Sequence, residues 1–271
     1  MDQNKKYLTF EEFQICAKNI LKEFKYFCEA NNLRYFLAYG TLLGAARHGD
    51  IIPWDYDIDV QMPREDFNKF LELTNNNPIK PHLRTFSWLN EKRYYLPFVK
   101  LCDTRTRLVI TQTNAGVPLG VWVDIFPMDG IPDDKAEQEK HRSDFLCLAK
   151  KVSLTIYDNV TAKEKLRNFP DFIKLKVLKE AHYISALQEL AMKYPYSECD
   201  IIGTSNVPNM FKRDWYCRAL YEKTTMLNFG EEKYLCVADF DFMLTKLYGN
   251  YMQLPPEEDR KIPDLKAYYV D

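Results

Sequence analysis

Apolar positions recur at helical spacing near the start of the chain: Phe13, Cys16, Ile20, Phe24 and Phe27 share one face of a 3.6-residue repeat. Thr9 and Glu12 stand three apart just ahead of them, which predicts a capping box and a helix running to Asn31-Asn32. The aromatic run over residues 33–39 then predicts a strand, and Gly40-Thr41 a glycine turn opening a short helix through Arg47. A loop with Gly49 and Pro53 leads into a segment where acidic and apolar residues alternate, from Asp55 to Val60. Pro63 starts a helix over residues 64–73, stopped by Asn75-Asn76-Asn77-Pro78. Strand-like runs follow at residues 83–88, 96–102 and 108–111. After the Gly116-Val117-Pro118 turn, residues 121–126 read as an inner strand whose lone charge is Asp124. Residues 133–195 turn to long, charged, helical segments, and the remainder returns to mixed strands and helices.

The alternation through Asp55, Asp57 and Asp59 carries the chemistry. Side chains on a strand point alternately to its two faces, so an extended run sets these carboxylates on one face and Tyr56, Ile58 and Val60 on the other. Anions stacked every ~7 Å, twice the ~3.3 Å rise, repel one another. A hard divalent cation with oxygen ligands compensates such a set, although a solvated acidic edge strand fits the same pattern. Asp124 joins the candidates because a carboxylate on a buried strand is costly unless paired or metal-bound. The alternative there is an aspartate capping the turn before Pro127.

Composition narrows the class. Of 271 residues, 46% are hydrophobic, enough for a substantial core, and a formal net charge of -2 excludes a generally basic nucleic-acid binder. No apolar run approaches the ~20 residues of a membrane span. The N-terminus leads into no signal-peptide core, and the 7 cysteines include no C-x-x-C pair, so reduced thiols in a cytoplasmic protein are expected. Lys163, Lys165, Arg167, Lys174, Lys176 and Lys179 alternate with Phe169, Phe172, Ile173, Leu175 and Leu178. That pattern suits an ordinary surface helix or one lying peripherally on the inner face of an anionic membrane.

Three features in order suggest phosphate chemistry. Backbone N–H groups at a helix N-terminus bind phosphate oxygens; Gly40 lets the backbone approach and Thr41 adds a hydroxyl donor. Opposite them, Asp57 and Asp59 would hold Mg²⁺ or Mn²⁺, with Asp124 as third ligand or base and Asp55 ligating or orienting. Arg47 and Lys100 are candidate charge partners for phosphate, with surface ion pairs as the alternative. The order Gly-Thr, Asp-x-Asp, later carboxylate resembles nucleotidyltransferases of the polymerase-β type. That likeness implies an α+β fold with a mixed sheet and flanking helices, here one domain over 1–271 with a helical insertion at about 133–209.

The stretch Tyr39-Gly40-Thr41-Leu42-Leu43-Gly44-Ala45-Ala46-Arg47-His48, then Ile52-Pro53-Trp54-Asp55-Tyr56-Asp57-Ile58-Asp59-Val60 and Met62-Pro63-Arg64-Glu65-Asp66-Phe67, closely resembles the LicD family of bacterial phosphotransferases, relatives of the fukutin-type enzymes. The likeness continues through Lys100 to Thr106, Trp122-Val123-Asp124-Ile125-Phe126-Pro127-Met128-Asp129-Gly130 and Tyr248 to Pro256. It implies transfer of a phosphorylated alcohol, typically phosphocholine from CDP-choline, to a hydroxyl of a glycan or lipid-linked glycan acceptor such as a teichoic acid or lipopolysaccharide precursor, with CMP leaving. By position, Asp57 and Asp59 match the family's metal-binding aspartates, Asp55 the first acid and Asp124 the later one. Tyr56 stands where many members have another aspartate, and Gly49-Asp50 reverses the commoner order.

A quaternary ammonium is held by aromatic faces. Trp54, Tyr56, Tyr94, Tyr95 and Trp122 flank the acids; core packing accounts for most of them, and Trp54 is the first choice for substrate contact. Rival readings are a nucleotidyltransferase acting on a small molecule, transfer of ribitol or glycerol phosphate, a metal-dependent glycosyltransferase, and an inactive relative. The glycosyltransferase is disfavoured because such enzymes usually place Asp-x-Asp after several βα units. The inactive relative is disfavoured because every proposed acid is present.

Overall fold

The computed structural model describes residues 5–109, 116–156, 180–204 and 213–270. Helix α1 (Phe10–Ala30) begins at the expected box: Glu12 N–H donates to the Thr9 hydroxyl at 3.1 Å, and Thr9 N–H to the Glu12 carboxylate at 2.8 Å. Its buried stripe includes Phe13, Ala17, Ile20, Leu21 and Phe24, with Cys16 and Phe27 half-buried beside it.

Strand β1 (Phe36–Leu37) is shorter than the run expected over residues 33–39. The chain leaves it at Tyr39, where φ is 46, and enters α2 (Tyr39–His48) at once. The expected glycine turn is therefore the first helical turn itself, and Gly49, at φ 66, closes the helix in the left-handed conformation that glycine adopts without a Cβ penalty. Strand β2 (Asp59–Pro63) begins only at the last of the three alternating acids, not across the whole run. Helix α3 (Arg64–Thr74) follows directly.

Strands β3 (Leu83–Phe86), β4 (Val99–Asp103) and β6 (Trp122–Ile131) complete a mixed sheet in the order β1-β2-β6-β4-β3, in which β2 and β6 run parallel and the other neighbours antiparallel. The fully buried β6 runs straight through Pro127. Pro127 lies between the positions paired with β4 (Trp122 to Ile125) and those paired with β7 (Asp129 to Ile131), so its missing N–H costs no ladder bond on that side. Helices α1 and α3 touch through Phe24 and Phe70 (5.5 Å between ring centroids) and pack on β2, β4 and β6. They cover the face that carries Val60, Met62, Leu101, Val123 and Ile125, all fully buried.

Helices α4 (Lys135–Ile156) and α5 (Glu180–Ala191) lie within the span 133–209, as does β7 (Ile201–Gly203), which joins the main sheet and pairs with β8 (Tyr216–Cys217). The whole lysine-rich stretch at 163–179 lies outside the described residues. A hairpin, β9 (Thr224–Phe229) and β10 (Glu232–Val237), precedes α6 (Phe240–Tyr248), and β11 (Ala267–Tyr269) returns to pair with β5 (Thr106–Leu108). The architecture is α+β, a mixed sheet with flanking helices. All seven cysteines are unpaired. Among the described residues no helix is long and apolar enough to cross a membrane.

Candidate active site

Register across the sheet assembles the site. Asp59 on β2 pairs with Asp124 on β6, and Asp124 pairs with Lys100 on β4. Residues directly opposite on neighbouring strands share a face, so the three form a row across the sheet. Asp57, just ahead of β2, completes a cluster in which one carboxylate oxygen each from Asp57, Asp59 and Asp124 lies within 4.8 Å of the others. Lys100 Nζ donates to both oxygens of Asp124, at 2.6 and 2.9 Å, and Trp122 Nε1 donates to Oδ2 at 2.8 Å. Lys100 and Asp124 are 8% and 5% exposed, so the alternative of a surface ion pair for Lys100 is replaced by a buried one. The cost expected for a carboxylate on a buried strand is met here by two donors.

Four carboxylates and one lysine leave the cluster with a formal charge of about -3. Burial raises Asp57 above the usual carboxylate range, and the charge of Asp55 and a hydrogen bond with it push the same way. Burial raises Asp59 as well, with Asp57, Asp124 and Asp55 adding to it. Asp124 is also raised by burial, against the pull of Lys100 and Trp122. This arrangement is unfavourable unless a cation or protons neutralise it. Oxygens bound at about 2.1 Å in an octahedron are separated by roughly 3–4 Å, so oxygens within 4.8 Å of one another need only small side-chain shifts to share one ion, and the all-oxygen donor set suits a hard ion such as Mg²⁺ or Mn²⁺.

Gly40 and Thr41 sit in the first turn of α2, against the acids. A Cβ on Gly40 would stand 2.9 Å from Asp55 Oδ2, so a larger residue would crowd that carboxylate. The buried Thr41 hydroxyl accepts the Asp59 N–H at 2.7 Å, which fixes the start of β2 and leaves its own proton to donate. Ahead of them, the Tyr39 hydroxyl donates to Asp214 at 2.6 Å, stands 2.8 Å from the Thr204 hydroxyl and accepts from Gln61 Nε2 at 3.0 Å. A left-handed tyrosine is strained unless its surroundings determine it, and this buried network does so. Tyr39→Phe should therefore destabilise the protein by about 1–3 kcal/mol, the cost of leaving buried partners unsatisfied. Urea unfolding would measure it, and an unchanged midpoint would show that the network does not hold the helix start.

The remaining expected residues lie around this centre. Arg47 is in the last turn of α2, about 10 Å along the axis from Gly40; its Nη1 donates to the Tyr251 carbonyl at 2.9 Å. Trp54, adjacent to Asp55, meets the His48 ring edge-on at 5.9 Å, and the Arg260 guanidinium lies over the Trp54 ring at 5.5 Å. Tyr94 and Trp122 are buried in the core, and Tyr56 packs edge-on to Trp122 and Phe13. Sequence reasoning did not single out Gln61, Thr204, Asp214 or Arg260, and took Trp122 only as an aromatic. The alternation itself places Gln61 on the Asp59 face and Trp122 on the Asp124 face, whereas no local signal connects Thr204, Asp214 or Arg260 to the acids.

The family model described as the LicD/FKTN/FKRP nucleotidyltransferase domain matches residues 32–147. The lipopolysaccharide cholinephosphotransferase LicD of Haemophilus influenzae is 29% identical over 272 aligned residues, covering 98% of this chain and 99% of that protein. The ribitol 5-phosphate transferase FKRP of Homo sapiens is 66% identical over 45 residues, 17% of this chain and 9% of that protein. Mannosyltransferase regulator 4 of Saccharomyces cerevisiae is 38% identical over 69 residues, 26% of this chain and 6% of that protein.

Proposed function

We propose that this chain, which belongs to the LicD family, transfers a phosphorylated alcohol from a CDP-alcohol to a hydroxyl of a cell-surface glycan or its lipid-linked precursor, releasing CMP. Phosphocholine is the first candidate for the moved group, because the relative aligned along the whole chain is a lipopolysaccharide cholinephosphotransferase. Ribitol phosphate is the second, because the short segment shared with FKRP is 66% identical. The observation that carries the reading is the convergence of Asp57, Asp59 and Asp124, one from just ahead of β2 and two from paired strands. The same order, a helix headed by Gly40-Thr41 followed by Asp-x-Asp and a third acid on a neighbouring strand, supports a polymerase-β-like nucleotidyltransferase core.

In this reading Asp57, Asp59 and Asp124 hold Mg²⁺ or Mn²⁺, which when bound supplies charge neutralisation on the diphosphate and polarises the phosphorus under attack. Lys100 and Trp122 already donate to both oxygens of Asp124, which favours a fixed ligand over a base for that residue. Asp55, outside the trio but hydrogen-bonded to Asp57, takes the proton of the acceptor hydroxyl. The acceptor oxygen forms the new bond to phosphorus, the diphosphate P–O bond breaks, and the electron pair leaves on the CMP phosphate. The α2 N-terminus, with its amides and the Thr41 hydroxyl, receives phosphate oxygens.

A donor screen tests this: CDP-choline, CDP-ribitol, CDP-glycerol and ATP are offered with Mg²⁺, a glycan acceptor preparation is added, and CMP and pyrophosphate release are followed with mass spectrometry of the product. CMP release with mass added to the acceptor is expected. Pyrophosphate release from ATP, with none from the CDP-alcohols, would favour nucleotidyl transfer instead.

A further inference from the structure

Two arginines come together around Trp54, the residue before Asp55, with no acidic partner among the described residues. Arg47 donates through Nε to His48 Nε2 at 3.0 Å and through Nη1 to the Tyr251 carbonyl. The His48 ring abuts Trp54, and Arg260 lies over Trp54 from the C-terminal segment while its Nε donates to the Pro255 carbonyl at 2.8 Å. Arg260 therefore lies on the indole directly and Arg47 reaches it through His48, and that indole immediately precedes Asp55. Among the described residues neither forms an ion pair, although Glu257, Glu258 and Asp259 adjoin Arg260 in the chain. Burial and then the charge of Arg260 push the Arg47 guanidinium down from its usual value. Burial, and then the charges of Asp59, Asp55 and Asp57, raise the phenol of Tyr248 at the end of α6, which also acts on Arg47.

Like charges held together beside a flat aromatic ring, with neighbouring carboxylates left unused, call for an anion from outside the chain. Guanidinium forks match phosphate oxygens in geometry and stay charged at all working pH values. We propose that Arg47 and Arg260, positioned by Trp54 and the segment at 249–260, form a phosphate subsite that holds the nucleotide phosphate of the donor, the one that departs. The assignment to the donor rests on the reading of the aspartates as the reacting centre, one residue along from Trp54. The phosphate site itself does not depend on that reading.

Calorimetric titration of the full chain with CMP and with inorganic pyrophosphate, in Mg²⁺, tests it in wild type, Arg260→Gln and Arg260→Lys. Loss of a charge-assisted contact should weaken both ligands about tenfold or more in Arg260→Gln, with part of the affinity recovered in Arg260→Lys. The melting temperature should stay near that of wild type, and the donor KM should rise while the acceptor KM holds. Affinity for CMP and pyrophosphate within twofold of wild type in Arg260→Gln would overturn the proposal, whether or not the melting temperature falls. A shift in acceptor KM alone would also overturn it, by giving the arginines to a phosphate on the acceptor. If no CDP-alcohol is turned over but pyrophosphate binding still depends on Arg260, the transfer reading fails and the phosphate site stands.

Discussion

Replacing Asp59 by Asn should lower turnover by about three powers of ten, roughly 4 kcal/mol of transition-state stabilisation, while making the metal-free protein more stable. The opposite signs follow from one cause. Asp59 stands among Asp55, Asp57 and Asp124 with Lys100 as the cation set against them among the described residues, so in the proposed role its charge serves a bound cation and strains the fold without one. Relief of about 1 kcal/mol would raise the melting temperature by about 2–4 °C in a protein of this size. Thermal melts in EDTA and in excess Mg²⁺ would separate the two effects: the variant should melt above wild type in EDTA and lose most of the stabilisation by metal. A variant that keeps near-wild-type turnover, or melts lower in EDTA, contradicts the assignment.

The same cluster fixes a pH dependence. The folded-state values of Asp57, Asp59 and Asp124 lie above those of the unfolded chain, so the folded protein binds these protons more tightly. Their contribution to metal-free stability is therefore fully present below the ordinary carboxylate value near 4. It is lost as pH rises towards about 7, the value to which burial and Asp55 push Asp57. Added Mg²⁺ should stabilise the protein progressively more across that window, because cation and proton compete for the same oxygens. Melting curves in EDTA and in Mg²⁺ at several pH values should diverge as pH rises; curves that stay parallel would count against the competition.

Asp129→Ala should cost about 3–5 kcal/mol of folding stability, the usual consequence of orphaning one member of a buried ion pair. Arg64 grips Asp129 through Nε and Nη2 at 2.6 and 2.7 Å, and both side chains are nearly inaccessible. Arg64 Nη1 also donates to Gln188 Oε1, and Gln188 Nε2 donates to the Pro97 carbonyl, so one guanidinium joins α3, β6, α5 and the approach to β4. Replacing both partners with leucine should recover much of the loss, because the uncompensated charge goes with them. Urea unfolding of the two variants provides the comparison, and a single variant no less stable than wild type would remove the pair from the account.

Local patterns were the legible part of this protein. The Thr9–Glu12 cap and the α1 stripe come from short-range periodicity, and the structure has them where the sequence puts them. Asp124 could be singled out because a charge within an apolar run is costly. What it pairs with was not readable, since Lys100 reaches it through antiparallel register between strands distant in sequence. Tyr39 shows a different limit: an aromatic run ending in Gly-Thr reads as a strand and turn, yet a left-handed backbone held by Asp214, Thr204 and Gln61 makes it the first residue of a helix. Arg64 and Asp129 were visible as motif residues, but their roles appear only once α3 lies against β6. The acids themselves were legible as a set, although only Asp59 lies within the strand and its neighbours reach the cluster from the segment ahead of it.

The most direct measurement is an anomalous difference map from crystals soaked in Mn²⁺. The account predicts a strong peak bounded by carboxylate oxygens of Asp57, Asp59 and Asp124, lost in the Asp59→Asn variant. A map with no peak there, or with Mn²⁺ bound only elsewhere on the chain, would contradict it.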